Sequence, residues 1–300
     1  MQIPMTRRQT LATDISLSGV GLHSGREVRI RLVPAEAETG IVFVRTDAGG
    51  VRLPATLEHA GPSFYATVLC HEDLRVSTIE HLMAALYALQ VDDLLIELDG
   101  DELPILDGSS RPFVEAIRQA GRLEHDVERQ YITLVRPLVV SDEEKRIAAY
   151  PSREFRITYA IDFDHPRLGY QELSVRLWRE GDFEEKLAPA RTFTFEEEVE
   201  KLRARGLALG GSLENALVIG EGGPLNPHLR FPDDCVRHKM LDLTGDLSLL
   251  GRPLCAHVVA YRAGHDLHAR LARRLWNSPD SWYLAPLAGP AADQGAVAEG

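Results

Sequence analysis

A chain of 300 residues, 44% apolar and 26% charged, has the balance of a soluble globular protein with one large domain or two ordinary ones. Its 33 Lys and Arg against 45 Asp and Glu leave a net charge of −12, which excludes nucleic-acid binding through a general basic field. Cys70, Cys235 and Cys255 are scattered and odd in number, arguing for a reducing compartment; residues 1–11 lack the apolar core of a secretory signal, and no apolar run reaches membrane-span length. These features predict a cytoplasmic protein.

Residues 10–17 and 26–33 alternate in the manner of strands and flank the glycine-rich turn Ser18-Gly19-Val20-Gly21-Leu22-His23-Ser24-Gly25. The turn lacks the GxGxxG order and a following helix, so it does not indicate a phosphate cradle. Strands follow at 40–45 and 51–57. Residues 77–89 read as the first strong helix, and Ser77 and Glu80 have the spacing of a capping box. A strand at 94–98, a loop at 104–110 and a helix at 112–120 complete the first half, with Gly121 placed to end that helix.

Residues 125–130 form a charged, apolar-poor bridge that marks a domain boundary. Strands at 131–140, 146–150, 155–163 and 171–177 come next, then a helix over 195–205 whose early acids suit its dipole. Residues 207–227, rich in glycine and small apolar residues, read as a loop with a short strand at 216–219. The helix containing Arg237 to Asp246 leads to a strand at 256–261 and a last helix over 264–276. We divide the chain into a first α+β domain (1–127), a second (128–278, with an insert near 195–225) and a flexible tail (279–300). Both halves run strands, helix, strand, loop, helix, which predicts two similar α+β layers packed face to face.

The stretch Arg237-His238-Lys239-Met240-Leu241-Asp242-Leu243-Thr244-Gly245-Asp246 carries the chemistry. At about 100° per residue, His238, Asp242 and Asp246 share one helix face, while Val236, Met240, Leu243 and Leu247 share the other. A His and an Asp four residues apart can bind one metal ion; a solvated polar face gives the same pattern. Glu80-His81, at the start of the other half's helix, supplies a third ligand and a base if the two helices meet. His81, His238 and Asp242 then make two imidazoles and a carboxylate, which suits catalytic zinc (Zn2+) or iron (Fe2+). Glu80 is placed to take a proton from water, although a capping role accounts for it equally. His265, at the start of the last helix, is a candidate proton donor backed by Asp246, and Lys239 a candidate for substrate phosphate or an oxyanion. His59, His71, His125, His165, His228, His257 and His268 lack acid partners at ligand spacing and read as structural.

These residues fall within motifs through which the chain resembles the zinc-dependent UDP-3-O-acyl-N-acetylglucosamine deacetylases of lipid A synthesis. The motifs are Gly19-Val20-Gly21-Leu22-His23-Ser24-Gly25, Ser77-Thr78-Ile79-Glu80-His81-Leu82, Leu103-Pro104-Ile105-Leu106-Asp107-Gly108-Ser109, Ala190-Arg191-Thr192-Phe193, Gly210-Gly211-Ser212-Leu213-Glu214-Asn215-Ala216, Arg237 to Asp246, and Gly264-His265. The resemblance implies two α+β sandwich domains with the site between them, and zinc held by His81, His238 and Asp242. It implies Glu80 as base and His265 as general acid paired with Asp246. It further implies that Thr192 helps hold the oxyanion, that Lys239 lies near the substrate phosphates, and that Phe163 and Phe193 lie near the sugar and uracil. Arg262 stands where some members have Lys, keeping the charge in a different shape. Ala263 stands where some have Ser, so a hydroxyl contact there is not implied. The stretch 207–220 corresponds to the insert that forms the acyl-chain passage.

The expected reaction is transfer of an acetyl group from the UDP-linked sugar to water, by a cytoplasmic monomer with no nucleic-acid partner and no transmembrane segment. The competing readings are a non-catalytic UDP-sugar-binding protein and an iron-dependent oxygenase.

Overall fold

The computed structural model describes residues 6–62 and 65–287. The first half comprises β1 (Arg7–Leu11), β2 (Ile15–Val20), β3 (Glu27–Pro34), β4 (Ile41–Arg45), β5 (Val51–Pro54), β6 (Val68–His71), β7 (Leu74–Ser77), α1 (Glu80–Ala88), β8 (Leu94–Leu98), α2 (Arg111–Ala120) and β9 (Arg122–Glu128). Five of these strands form a sheet in the order β2-β3-β8-β4-β5, with β4 and β8 parallel. In β3 the residues alternate, so that Val28, Ile30 and Leu32 enter the core while Arg29 and Arg31 stay outside. Strand β1 pairs with β9, and β6 with β7, outside this sheet.

The second half comprises β10 (Tyr131–Leu134), β11 (Leu138–Asp142), β12 (Lys145–Pro151), β13 (Arg156–Asp162), β14 (Tyr170–Arg176), α3 (Asp182–Lys186), β15 (Phe193–Phe195), α4 (Glu196–Ala204), β16 (Leu217–Gly220), β17 (Gly223–Pro224), α5 (Asp234–Leu247), β18 (Leu254–Tyr261), α6 (His265–Trp276) and β19 (Trp282–Ala285). Its main sheet runs β11-β12-β18-β10-β19, with β13 parallel to β18 and carrying β14. Strands β15, β16 and β17 form a small separate sheet.

The α+β class and the repeated order hold. In each half a helix (α1 or α5) precedes a central strand (β8 or β18), and a second helix (α2 or α6) follows it. Helix α1 packs beside α2, α5 beside α6, and α1 lies along α5, so the helices form the inner layers between two outer sheets. Glycine at 245 permits the close crossing: a Cβ there would overlap the carbonyl oxygen of Glu80. Helix α5 is buried on both faces. Val236, Met240, Leu243 and Leu247 enter the core, and His238, Asp242 and Asp246 are covered as well. The polar face is therefore not solvated.

Several local expectations change. Ser77 and Glu80 do not make a capping box. Ser77 ends a strand, with its hydroxyl bonded to Asp101 O, and the residue at the helix cap is Ile79. The charged bridge over 125–130 is largely strand β9, whose exposed Glu124, Asp126 and Glu128 face water while its backbone pairs with β1. The strand expected over 131–140 is two strands, because the chain turns at Val135 and Arg136, whose amides both reach Ser281 O, and at Pro137. The stretch expected as a tail from 279 begins with ordered structure. Strand β19 pairs along β10, and the Trp282 indole donates to Leu275 O. Residues 288–300 lie outside the described residues.

Candidate active site

Glu80 and His81 open α1. Just before them, Thr78 adopts φ +59°, a costly conformation for a β-branched residue that breaks the chain direction between β7 and α1. A buried carboxylate holds this bend. Glu102 Oε1 accepts the Thr78 hydroxyl (3.1 Å), and the same carboxylate accepts the amides of His23 and Ser24 (2.8 Å each). The glycine-rich turn is thus tied to the entrance of α1, and two amides that a phosphate would need are taken. Released from capping, Glu80 points its carboxylate into the domain interface, where Oε2 accepts the Thr67 amide at 2.9 Å.

His81 meets α5 across that interface. Its ring stands edge-on to that of His238, with centroids 5.0 Å apart. Asp242 Oδ1 lies 3.1 Å from His238 Nε2 and 3.8 Å from His81 Nε2. The three residues each offer a ligand atom within 4.8 Å of the others, and all three are buried. His238 Nδ1 lies 3.1 Å from Ala190 O, which can only accept; this places the proton on Nδ1 and a lone pair on Nε2. Asp242 Oδ1 is buried and accepts no hydrogen bond from the described residues. Lone pairs of an imidazole and a carboxylate that face one another in a dry site repel unless a cation lies between them. Burial, and next to it the neighbouring His238, push the His81 imidazole down to about 3, so that it too is a neutral donor. The set fits a divalent cation with two nitrogens and one oxygen.

A second buried group adjoins the first. Asp246 Oδ2 lies 2.7 Å from both His265 Nδ1 and His268 Nδ1, while Oδ1 accepts the Thr67 hydroxyl. His265 Nε2 faces the first group, 3.9 Å from Asp242 Oδ2. Burial works to lower the His265 pKa, but the Asp246 carboxylate outweighs it by charge and by hydrogen bond and lifts it to about 9. Glu80 moves up as well. Burial raises it to about 7, against the opposing pull of His265. A carboxyl and an imidazole that feel each other's charge are thereby poised to act as base and acid near neutral pH.

A cavity of about 630 Å³ opens beside the cluster. Thr192, Phe193 and Phe163 line it, together with apolar residues of α4 and of the segment leading to β16, among them Val199, Leu202 and Ala216. The Phe193 ring reaches within 6.4 Å of the His238 ring and 5.9 Å of Phe163. Thr192 is fixed by its backbone, whose amide donates to Gly108 O (2.8 Å). Gly108 sits at φ +81°, against Asn215 O, where a Cβ would overlap that oxygen. The loop of the first domain and the insert of the second thus meet at Thr192.

The fold brings together His81, His238, Asp242, Glu80, His265 and Asp246, with Thr192, Phe193 and Phe163 along the adjoining cavity. Lys239 bonds Asp242 Oδ2 at 2.8 Å, next to the cluster. Arg262 stands apart: at φ +52° after β18, it turns its guanidinium to Glu144 (3.0 Å). Sequence reasoning missed three members. His268, read as structural, shares Asp246 with His265; the spacing His265-x-x-His268 on one helix was the available signal. Thr67 and Tyr159, the latter bonded to His268, carried no local signal.

A family model described as UDP-3-O-acyl N-acetylglycosamine deacetylase matches residues 8–277. The chain belongs to this family. Three proteins named UDP-3-O-acyl-N-acetylglucosamine deacetylase illustrate the likeness. That of Syntrophotalea carbinolica is 46% identical over 295 residues, which cover 98% of this chain and 95% of the relative. That of Myxococcus xanthus is 45% identical over 281 residues, 93% and 89% of the two chains. That of Leptospira biflexa is 46% identical over 270 residues, 89% and 88%. In this member of the deacetylase family the matched span includes α1, α5 and α6, and with them the whole buried cluster. No helix among the described residues is long and apolar enough to cross a membrane.

Proposed function

We propose that the protein hydrolyses the acetamide of UDP-3-O-acyl-N-acetylglucosamine, releasing acetate and UDP-3-O-acyl-glucosamine for lipid A biosynthesis. The observation that carries this reading is Asp242 Oδ1, a buried oxygen with no hydrogen bond among the described residues, near two imidazole nitrogens and within the electrostatic reach of Glu80. His81, His238 and Asp242 would hold zinc. The chemistry such an ion supplies when bound is Lewis acidity, which makes water more acidic and the acetamide carbonyl more electrophilic.

The side chains divide the remaining work. Glu80, ionised, takes the proton of the attacking water. The Thr192 hydroxyl donates to the oxygen on which negative charge develops. His265, protonated, gives its Nε2 proton to the departing amine, while Asp246 holds Nδ1 and stabilises the imidazolium. Lys239 supplies positive charge near the substrate phosphates, and Phe163 and Phe193 present apolar faces to the sugar and base. The cavity beyond Thr192 takes the acyl chain. The three cysteines are free, in keeping with a reducing, cytoplasmic setting. A binding protein without turnover has no use for a base and an acid flanking the ligand set.

The test is metal analysis combined with acetate release from the acylated UDP-sugar. One bound zinc per chain, and loss of turnover in Glu80→Gln with zinc retained, are expected. A metal-free active protein, or Glu80→Gln at full rate, overturns the reading.

A further inference from the structure

His268 lies in the core of the second domain with no exposed surface, on the same face of α6 as His265. Its two ring nitrogens have different partners. Nδ1 lies 2.7 Å from Asp246 Oδ2, and Nε2 lies 3.0 Å from the Tyr159 hydroxyl. That hydroxyl also lies 2.8 Å from Ala263 O, on the turn between β18 and α6.

Donor and acceptor counting fixes one proton. The Asp246 carboxylate only accepts, so His268 Nδ1 must carry a hydrogen. The Tyr159 hydroxyl donates its one hydrogen to Ala263 O, which can only accept, and its oxygen seats the far side of the ring at Nε2. Asp246 receives three hydrogen bonds from two parts of the chain: His265 and His268 on α6, and Thr67 before β6. The geometry also tells against a metal ion in this group. Asp246, His265 and His268 have ligand atoms within 4.8 Å of one another, but both imidazoles turn protonated nitrogens toward the carboxylate.

We propose that His268 is a positioning residue for proton donation: seated against Tyr159 at Nε2 and donating from Nδ1, it orients the Asp246 carboxylate so that Oδ2 grips His265 and aims its Nε2 at the reaction. Its second hydrogen bond to the same oxygen prevents the carboxylate from rotating away. The chain of contacts runs from Ala263 O through Tyr159, His268 and Asp246 to His265, and it closes on the segment that precedes His265. The turn that starts α6 and the group that steers the imidazole are thereby locked together. This inference rests on His265 being the proton donor.

The experiment compares His268→Phe, His268→Asn and His265→Ala in the zinc-loaded enzyme, and reads histidine tautomers by nitrogen-15 NMR in the wild type and in Tyr159→Phe. Phe fills the ring's space without a donor, and Asn places an amide N–H near the position of Nδ1. His268→Phe is expected to lower kcat about tenfold, with KM and bound zinc unchanged, and His268→Asn to recover most of that loss. The wild-type spectrum should show a hydrogen on His268 Nδ1, retained in Tyr159→Phe because the carboxylate holds it. A full-rate His268→Phe, an Asn variant no better than Phe, or a wild-type His268 protonated on Nε2 alone overturns the inference. If His265→Ala keeps the full rate, the proton-donor reading itself falls; if that variant is slow while His268→Phe is not, only the role of His268 falls.

Discussion

Gly245 of α5 lies against the carbonyl oxygen of Glu80 at the start of α1, so the two helices touch backbone to backbone beside Glu80 and Asp246. Gly245→Ala should force the helices apart. The expected cost is about 1–3 kcal/mol of stability, as for overpacking elsewhere, together with weaker metal retention, because His81 would leave His238 and Asp242. Thermal unfolding and zinc stoichiometry measured on one preparation check both halves. An Ala variant with wild-type melting and full zinc would show that the crossing relaxes freely.

Glu80 carries a second consequence. Its carboxyl is raised to about 7 from an ordinary 4.5 by burial, so the folded metal-free protein prefers it protonated. The folded state then binds the extra proton, and stability is full below pH 4.5, falls as pH rises toward 7, and is flat above. The size of the loss is on the order of 3 kcal/mol. Glu80→Gln, which removes the charge, should therefore melt higher than wild type when both are metal-free at pH 8, while turning over roughly 10²–10⁴-fold more slowly when loaded. Calorimetry after chelation and an acetate-release assay separate the two effects. A Gln variant less stable at pH 8 would contradict the burial argument.

The fold was most readable where the pattern is local. The alternation in β3 and the apolar stripe Val236, Met240, Leu243 and Leu247 of α5 followed from period alone. Part of the buried cluster was readable, since His238 and Asp242 are one turn apart on α5. What stayed hidden depends on distant partners. Ser77 and Glu80 have a capping spacing, but Thr78, bent by Glu102, carries Ser77 into a strand and hands Glu80 to Thr67. Strand β9 read as a linker because its outward residues are acidic and its pairing partner, β1, lies more than a hundred residues earlier. His268 gave no acid partner in sequence because Asp246 reaches it from another helix.

The pH dependence of kcat/KM should be bell-shaped, with Glu80 ionised and His265 protonated in the active form. The alkaline limb follows His265, lifted to about 9 mainly by Asp246 against the effect of burial. The acid limb follows Glu80, and a bound dication beside it favours the anion and draws that limb below 7. Asp246→Asn removes the charge that sustains the imidazolium, so its alkaline limb should move down by one unit or more, with a loss of rate. Profiles of the two proteins over pH 5–10 provide the check; coincident alkaline limbs would detach His265 from that limb.

Chelation should abolish turnover, and Zn2+ or Co2+ should restore it. With cobalt, two nitrogens, one carboxylate oxygen and solvent predict the intense visible absorption of a low-coordinate site. His238→Ala should lose both the band and the activity. An unchanged spectrum in that variant would place the ion elsewhere.

The cavity beside Thr192 predicts acyl-length selection. Val199→Trp puts bulk into its wall and should raise KM for a long-chain substrate about tenfold, with little change for a short one. Equal effects on both chain lengths would mean that the acyl group lies outside this space.

Each half of the protein holds only part of the proposed ligand set: His81 belongs to one sandwich, His238 and Asp242 to the other. An ion gripped by all three would be a rivet through the seam between them. The affinity for the ion and the closure of the seam are then one linked quantity, so whatever loosens the docking of the halves weakens the hold on the metal by the same free energy.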